Sequence, residues 1–465
     1  MPKLKNSMIL HNSNISILKY SKPNKHFVLL CWLFGYGLCH AQTELKNLLQ
    51  ISEKIHPVWL ARQYEVDAKQ SQIEVLKNTS LPHIEASYQA NIATFNNLTG
   101  MFYGSGLLPI SGPPSEENVF APTTGSAVGV LATWSPFTFG LLDAKIKEAS
   151  QEVLKHQSET LDRLLKFKIQ IIQQYLDIVK FQSLLGINQQ NHDRLKKTHV
   201  LVLDLIKSGL APSSDSAFVR SEMIRNQIER NNYEGQIKRG KIKLTELTGQ
   251  TVDEISDKLW LQQLPISFTA TIINAHPAEQ VATQCSDLEN ARLGVIEKNY
   301  LPKFTFFGST FARGSGVEQD FFTGLGLQRI NYGVGALLSV PLFKSAEKTS
   351  LINQQSSRVK AANEQINVIK LSLKQQEDMA QSLLDNASQI ASQMPMLISE
   401  TKKVFDSTND RYQRGLVTLN EVLISQHQLQ KAESENQIAT LNVWQALLIK
   451  AYAKGDLKIF LENKN

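Results

Sequence analysis

Cysteine is nearly absent. The 465 residues include three, and Cys31 and Cys39 both fall in the first 41 positions. If that stretch is removed, Cys285 stands alone. The mature chain then has no internal disulfide, and no CxxC or Cys/His cluster offers zinc ligands. The histidines are scattered without HExxH spacing, and no P-loop occurs. His56 and His276 each precede a proline at matched positions, which reads as a repeated helix-start turn rather than a metal site. Gly324-Leu325-Gly326 and Gly333-Val334-Gly335 lie in or beside a loop and read as turn and strand glycines. The expectation is no catalytic residue, no cofactor and no metal. Long apolar runs are missing as well: after residue 41 none reaches 18 residues. Helical membrane spans are thereby excluded, and entry into a membrane would have to be as a β-barrel. Charged residues make up 20% of the chain, near the globular average, which argues against wholesale disorder.

Acids are missing from one place. Residues 1–41 carry Lys3, Lys5, Lys19, Lys22 and Lys25 and no Asp or Glu. The formal net charge is +6, so these five lysines leave +1 for the remainder. A basic nucleic-acid footprint loses its main support, and no nucleic-acid partner is expected. The same stretch reads as an export signal. A Lys-bearing region precedes a 13-residue apolar run, Phe27 to Cys39, and Cys39-His40-Ala41 offers a cleavage site before Gln42. Thirteen residues are too few for a bilayer span, which needs about 20. Cys31 and Cys39 both follow Leu, where lipid attachment wants a small residue. Met8 is an alternative start.

Internal repetition is the strongest signal present. His56-Pro57 recurs as His276-Pro277 and Leu81-Pro82 as Leu301-Pro302, both 220 positions on. Pro136 answers Pro341 at 205, and Gly209-Leu210 answers Gly415-Leu416 at 206. The change of about 15 between these offsets marks a longer insertion in the first copy. The division is signal peptide 1–41, first repeat 42–250, linker 251–261 and second repeat 262–465.

Each copy has the same order. A helical stretch ends near the Leu-Pro pair. Alternating segments follow: Ile84, Ala86, Tyr88, Ala90 and Ile92 share one face, opposite Glu85, Ser87, Gln89 and Asn91. Val128, Val130, Ala132 and Trp134 form the partner row. Copy two offers Phe304-Thr305-Phe306-Phe307, then Val334, Ala336, Leu338 and Val340. Period two predicts strands, each about ten residues, the length of a tilted membrane strand. Segments 96–124 and 314–331 read as loops.

A very long helix comes next in each copy, over 142–206 and 344–411. Leu161, Leu165, Ile169, Ile172, Leu176 and Val179 step by three and four, as do Val359, Ala362, Ile366, Ile369, Leu373, Ala380, Leu383, Ala387 and Ile390, with Gln376 filling a gap. Such narrow seams suit side-by-side packing. At 1.5 Å per residue each helix is about 100 Å long. Pro395 is expected to kink or bulge its helix without ending it. The turns Ser208-Gly209-Leu210 and Arg414-Gly415-Leu416 lead to return helices. The fold class is thus mixed α and β, mainly long α-helices, with an internal duplication of helix–β-hairpin–long helix–helix.

Four membrane-length strands cannot close a barrel, since the smallest have about eight. An open edge in hydrocarbon leaves backbone groups unpaired at several kcal/mol each. Strands of this kind in a membrane require several chains to share one barrel. Two chains supply eight strands and three supply twelve, and spacing does not choose between them.

On these residues the chain resembles the TolC family of outer-membrane efflux channels, over essentially the whole mature length. The resemblance rests on the duplicated order, Pro82 and Pro302 at the strand starts, and Pro136 and Pro341-Leu342-Phe343 at the strand exits. Leu244-x-x-Leu247-x-Gly249 and Tyr412-Gln413-Arg414-Gly415-Leu416 complete it. It implies a homotrimer with a twelve-stranded outer-membrane barrel continued by a twelve-helix periplasmic tunnel. It further implies an exit duct for tripartite efflux or type I secretion, gated at the periplasmic tips. Implied partners are a periplasmic adaptor protein, an inner-membrane pump and outer-membrane lipid.

The resemblance also places the aperture. Asp215 lies six residues after Gly209 and Glu421 six after Gly415, where the family has acids, and Tyr412 matches a tyrosine that links neighbouring coils. Val417 and Ile424 stand where an arginine and a second acid are expected, so the network is partly retained. A ring of Glu421 side chains facing the lumen would favour cations. Either acid could equally serve its own helix dipole. Gly209, Leu210, Gly415 and Leu416 are the matched adaptor-contact residues, although the leucines could pack back on their own helices. A periplasmic adaptor is the alternative reading. It lacks support because no lipoyl-like half-motifs flank a hairpin.

Overall fold

The computed structural model describes residues 45–94, 116–252, 255, 261–265, 275–316, 321–341 and 345–462. The export segment, much of the 96–124 loop, most of the linker and Leu342-Phe343 lie outside the described residues. Helices α1 (Leu45–Ile55) and α2 (Pro57–Asn78) lead into strands β1 (His83–Ala93) and β2 (Thr123–Phe137). The long helix α3 (Leu141–Lys207) and the return helix α4 (Ser213–Thr248) follow. The second copy repeats this with α5 (Pro277–Asn299), β3 (Lys303–Ser315), a 3-10 turn at Phe321–Leu325 and β4 (Arg329–Ser339). It continues with α6 (Ser345–Gln413), α7 (Leu419–Lys454) and the short α8 (Lys458–Leu461). The return helices have 36 residues each, so the duplication extends to length. Pro395 sits inside α6 without ending it. Among the described residues no helix is long and apolar enough to cross a membrane.

The His-Pro pairs explain how α2 and α5 begin. Proline at the first helical position has the right φ and needs no N–H partner. The preceding imidazole caps the next free donor: His56 Nδ1 accepts from Val58 N at 3.3 Å and His276 Nδ1 from Ala278 N at 3.0 Å. Each ring then carries its proton on Nε2 and donates it to the end of a return helix. His276 bonds Tyr452 O at 3.0 Å, and His56 bonds Glu246 O at 3.3 Å. One residue type thus joins two helix ends in both copies.

The four strands form one antiparallel sheet in the order β1-β2-β3-β4. Its register aligns the alternating rows recognised in the sequence. Tyr88 pairs with Val128, Val128 with Ala312, Val130 with Thr310 and Thr310 with Tyr332. Trp134 pairs with Phe306 and Phe306 with Ala336. One face therefore carries Ile84, Tyr88, Ile92, Val130, Trp134, Phe306, Val334 and Leu338, all exposed in the single chain. The other carries Glu85, Gln89, Asn91, Ser309, Arg313, Asn331 and Arg329, with Leu131, Phe307, Phe311 and Leu337 among them. An exposed apolar face of this extent needs a partner or a lipid phase.

Pro82 and Pro302 immediately precede β1 and β3, as expected, and Pro341 follows the end of β4. Pro136 is the next-to-last residue of β2, at the strand exit, where the pairing shifts between Trp134 and Phe137. A bulge tolerates the missing N–H there.

Helix α3 packs on α2, α4, α5 and α7, while α6 packs on α5 and α7. The main apolar cluster gathers α1, the middle of α3 around Ile171, Ile172, Tyr175, Leu176 and Val179, and the C-terminal half of α7 with Trp444 and Leu447. Gly240 lets α4 approach α3 closely, because a Cβ there would meet Ile178 Cγ1 at 2.7 Å. The seam expected on α6 is partly or fully buried at Val359, Ala362, Ile366, Ile369, Leu373, Gln376, Ala380 and Ala387, and it departs at two positions near its end. Leu384 and Ala391 are buried, whereas Leu383 and Ile390 are 47% and 43% exposed. Leu161 on α3 is likewise exposed. Adjacent apolar stripes lie on one helix, and a single chain covers only one of them.

Candidate functional site at the helix tips

The two helical hairpins turn at one end of the structure. At the first, Gly209 takes φ 73°, its N–H bonds Ile206 O at 3.0 Å, and Leu210 N bonds Leu205 O at 2.9 Å. At the second, Gly415 takes φ 71°, with Gly415 N to Tyr412 O and Leu416 N to Arg411 O both at 2.9 Å. Both are Schellman turns, and a left-handed residue there is best supplied by glycine. The usual hydrophobic return contact is weak, however. Leu210 is 75% exposed and Leu416 63%. Each turn thus presents a leucine outward.

Behind the turns, Val202, Val219, Tyr412, Leu419 and Val422 form a separate buried cluster. It joins α3, α4, α6 and α7. Tyr412 Oη donates to Asp215 Oδ2 at 3.2 Å, tying the end of α6 to the first turn of α4. Burial pushes the Tyr412 phenol up to about 12, with the nearby Asp215 charge and their hydrogen bond adding to the rise. Asp215 also sits where the α4 dipole favours a negative charge. The two residues expected at the aperture are therefore in contact.

Glu421 is not part of that contact. It is exposed, and its Oε1 accepts from Thr418 N at 3.3 Å and Thr418 Oγ1 at 3.1 Å. Thr418 Oγ1 accepts in turn from Glu421 N, completing a capping box. Val417 packs against the tip cluster, where a charge would have been poorly placed. Ile424 is 50% exposed. A cleft of about 600 Å³ opens between the turns, lined by Leu205, Leu210, Pro212, Phe218, Gly415 and Leu423 among others.

A polar layer higher in the bundle was not anticipated from the sequence. Asn191 Nδ2 donates to Gln430 Oε1 at 2.7 Å, and Gln426 Nε2 donates to Asn191 Oδ1 at 2.9 Å. Glu229 accepts from Asn188 at 3.0 Å, Gln430 at 3.2 Å and Tyr233 at 2.8 Å. Asn188 and Asn226 each donate to the other's backbone carbonyl at 3.2 Å. Arg194 meets Glu433 with two bonds, at 2.9 and 2.6 Å. Burial raises the Tyr233 phenol, reinforced by Glu229. The available signal was amide side chains three and four apart on two helices, which read equally well as a wet surface.

No protein-family model matches this chain, and no curated protein matches it by sequence. Solved structures do match. The outer membrane protein VceC from Vibrio cholerae is 14% identical with TM-score 0.68, over 89% of this chain and 96% of that one. The Campylobacter jejuni CmeC outer membrane channel is 12% identical with TM-score 0.68, over 88% and 85%. The open state of the Neisseria gonorrhoeae MtrE outer membrane channel is 14% identical with TM-score 0.66, over 89% of each chain. At such identities the likeness is one of fold, and this chain has the outer-membrane channel fold.

Proposed function

We propose that this chain is a member of the TolC family and a subunit of a passive outer-membrane exit duct. Three copies close a twelve-stranded barrel, and their helices continue it as a periplasmic tunnel. The observation that carries the reading is the sheet: four strands of membrane length, apolar on one face and more polar on the other, with the outer edges of β1 and β4 unpaired among the described residues. In hydrocarbon each unpaired backbone group costs several kcal/mol. Pairing β4 of one copy with β1 of the next removes both edges and leaves the apolar face to lipid. Three copies rather than two is the number that the family resemblance supports.

The tips serve as the gate and the docking end. The Tyr412–Asp215 bond holds the two hairpins together in the closed arrangement, and Glu421 sets the charge near the aperture. Gly209, Leu210, Gly415 and Leu416 meet the helical hairpin of a periplasmic adaptor, which connects to an inner-membrane pump. The duct catalyses nothing and takes its driving force from those partners. Transport is of small molecules in efflux or of polypeptides in secretion. An adaptor identity for this chain is disfavoured by the membrane-length strands.

Fractionation followed by planar-bilayer recording tests the reading. Outer-membrane residence, a trimer in detergent and discrete conductance steps are expected. A stable monomer in the soluble periplasmic fraction would overturn it.

A further inference from the structure

We propose that Arg313 and Arg329 form an anion-binding ring at the outer mouth of the barrel, so that the duct takes solutes carrying a phosphate or carboxylate group. The inference rests on the duct reading and adds a cargo class to it. Three observations carry it.

The first is where the strand charges lie. With histidine neutral, the charged residues of the four strands are Glu85, Lys303, Arg313 and Arg329. The register puts all of them on the face opposite the lipid-facing row. Three basic residues against one acid leave +2 per copy and +6 for three copies. The whole chain after residue 41 carries only +1, so its positive excess sits in the strands. Low-dielectric walls around a water-filled lumen focus the field of such charges and concentrate counter-ions there.

The second is a pairing that sheet stability does not favour. Arg313 and Arg329 are direct cross-strand partners on the lumen face. Like charges placed opposite one another destabilise a sheet. Both residues are exposed, and among the described residues neither side chain has an ion pair or a hydrogen bond. Arg329 opens β4 and Arg313 lies near the end of β3, at the hairpin end away from the long helices. Three copies therefore place their paired guanidiniums around the outer end of the lumen. The guanidinium fork matches two oxygens of a carboxylate or phosphate. Rings of basic side chains select anions in pores. An anion held between the two forks also removes their repulsion.

The third comes from the duplication. Ala93 lies 220 positions before Arg313 and pairs with Thr123, so Ala93–Thr123 is the matching rung of the first hairpin. That hairpin reaches the same rung without charge. Both arginines belong to the second copy alone, and strand pairing does not require them.

Oriented trimers in planar bilayers, with sodium tripolyphosphate as the probe, test the site. Added on the side of the strand loops, the probe is expected to block wild-type current at a lower concentration than when added on the side of the helix tips. Arg313→Gln with Arg329→Gln should raise the blocking concentration roughly tenfold. Lys303→Gln lowers the lumen charge at the opposite end of β3 and should leave the block unchanged. Arg313→Lys with Arg329→Lys stands in where the glutamine pair does not assemble as a trimer. It should weaken the block by a smaller factor, because an ammonium lacks the fork. Unchanged block in the glutamine pair, or in the lysine pair where that stands in for it, overturns the site. An equal loss with Lys303→Gln overturns it too, by marking a general field. The loop between the two arginines carries Glu318 and Asp320, which lie outside the described residues. Block that appears only after Glu318→Gln with Asp320→Asn shows those acids occupying the arginines and likewise overturns the site. Each of these outcomes leaves the duct standing. Wild-type trimers that give no conductance steps at all overturn the duct, and the site with it.

Discussion

Tyr412 donates its phenolic hydrogen to Asp215 at 3.2 Å, across the boundary between the two repeats. Tyr412 belongs to the second copy's long helix and Asp215 to the first copy's return helix, so one bond closes both hairpins at the tips. A hydrogen bond to a charged group is worth roughly 1.5–3 kcal/mol. Tyr412→Phe removes it without opening a large cavity. Single-channel recording is expected to show higher conductance or longer openings for the variant, and identical traces would argue that the bond does not restrain the tips.

The same bond has a calculable pH window. The phenol's pKa is raised to about 12, so the folded state favours the protonated form. Its contribution is complete below the unfolded value near 10 and fades as pH rises through about 12. Wild-type conductance is therefore expected to be flat from neutrality to pH ~10 and to rise above it. Tyr412→Phe should lack that alkaline rise.

His276 works in the opposite direction. Burial lowers its pKa, and its two ring nitrogens are already committed, one accepting from Ala278 N and one donating to Tyr452 O. A depressed pKa means stability that is full above the unfolded value near 6.5 and is lost as pH falls below it. Thermal melting at pH 7.5 and 5.5 checks this. His276→Asn keeps a capping side chain, so the variant should lose less Tm on acidification than the wild type.

Glu421→Gln separates cap from charge. Glutamine can still complete the capping box with Thr418, so melting should be unchanged within about 0.5 kcal/mol. Reversal potentials in a salt gradient should move away from cation preference. Unchanged preference would place Glu421 away from the lumen.

The two faces of the sheet make a paired prediction. Val334 is 91% exposed on the apolar face, and Asn331 lies on the opposite one. Arginine facing lipid near the bilayer midplane costs about 2–4 kcal/mol. Val334→Arg is expected to reduce outer-membrane trimer, measured by fractionation, while Asn331→Arg assembles normally. Equal yields would contradict the assignment of the lipid face.

Repetition, period and punctuation made most of the fold legible in advance. The offsets of matched His-Pro, Leu-Pro and Gly-Leu pairs located both copies, and alternation located four strands. An unbroken helical pattern gave α3 and α6 to within two residues at each end. These are local properties, set by side-chain period and by residues that force φ or remove an N–H. The pairing of Tyr412 with Asp215 was foreshadowed only by resemblance, because nothing local relates residues 197 positions apart. The exposure of Leu383 and Ile390 on α6, the shift in pairing beside Pro136, and the layer around Asn191 and Glu229 were decided by tertiary packing. An amide or a leucine on a helix surface is identical in sequence whether it meets water, a neighbouring helix or lipid, and only the placement of the other helices determines which.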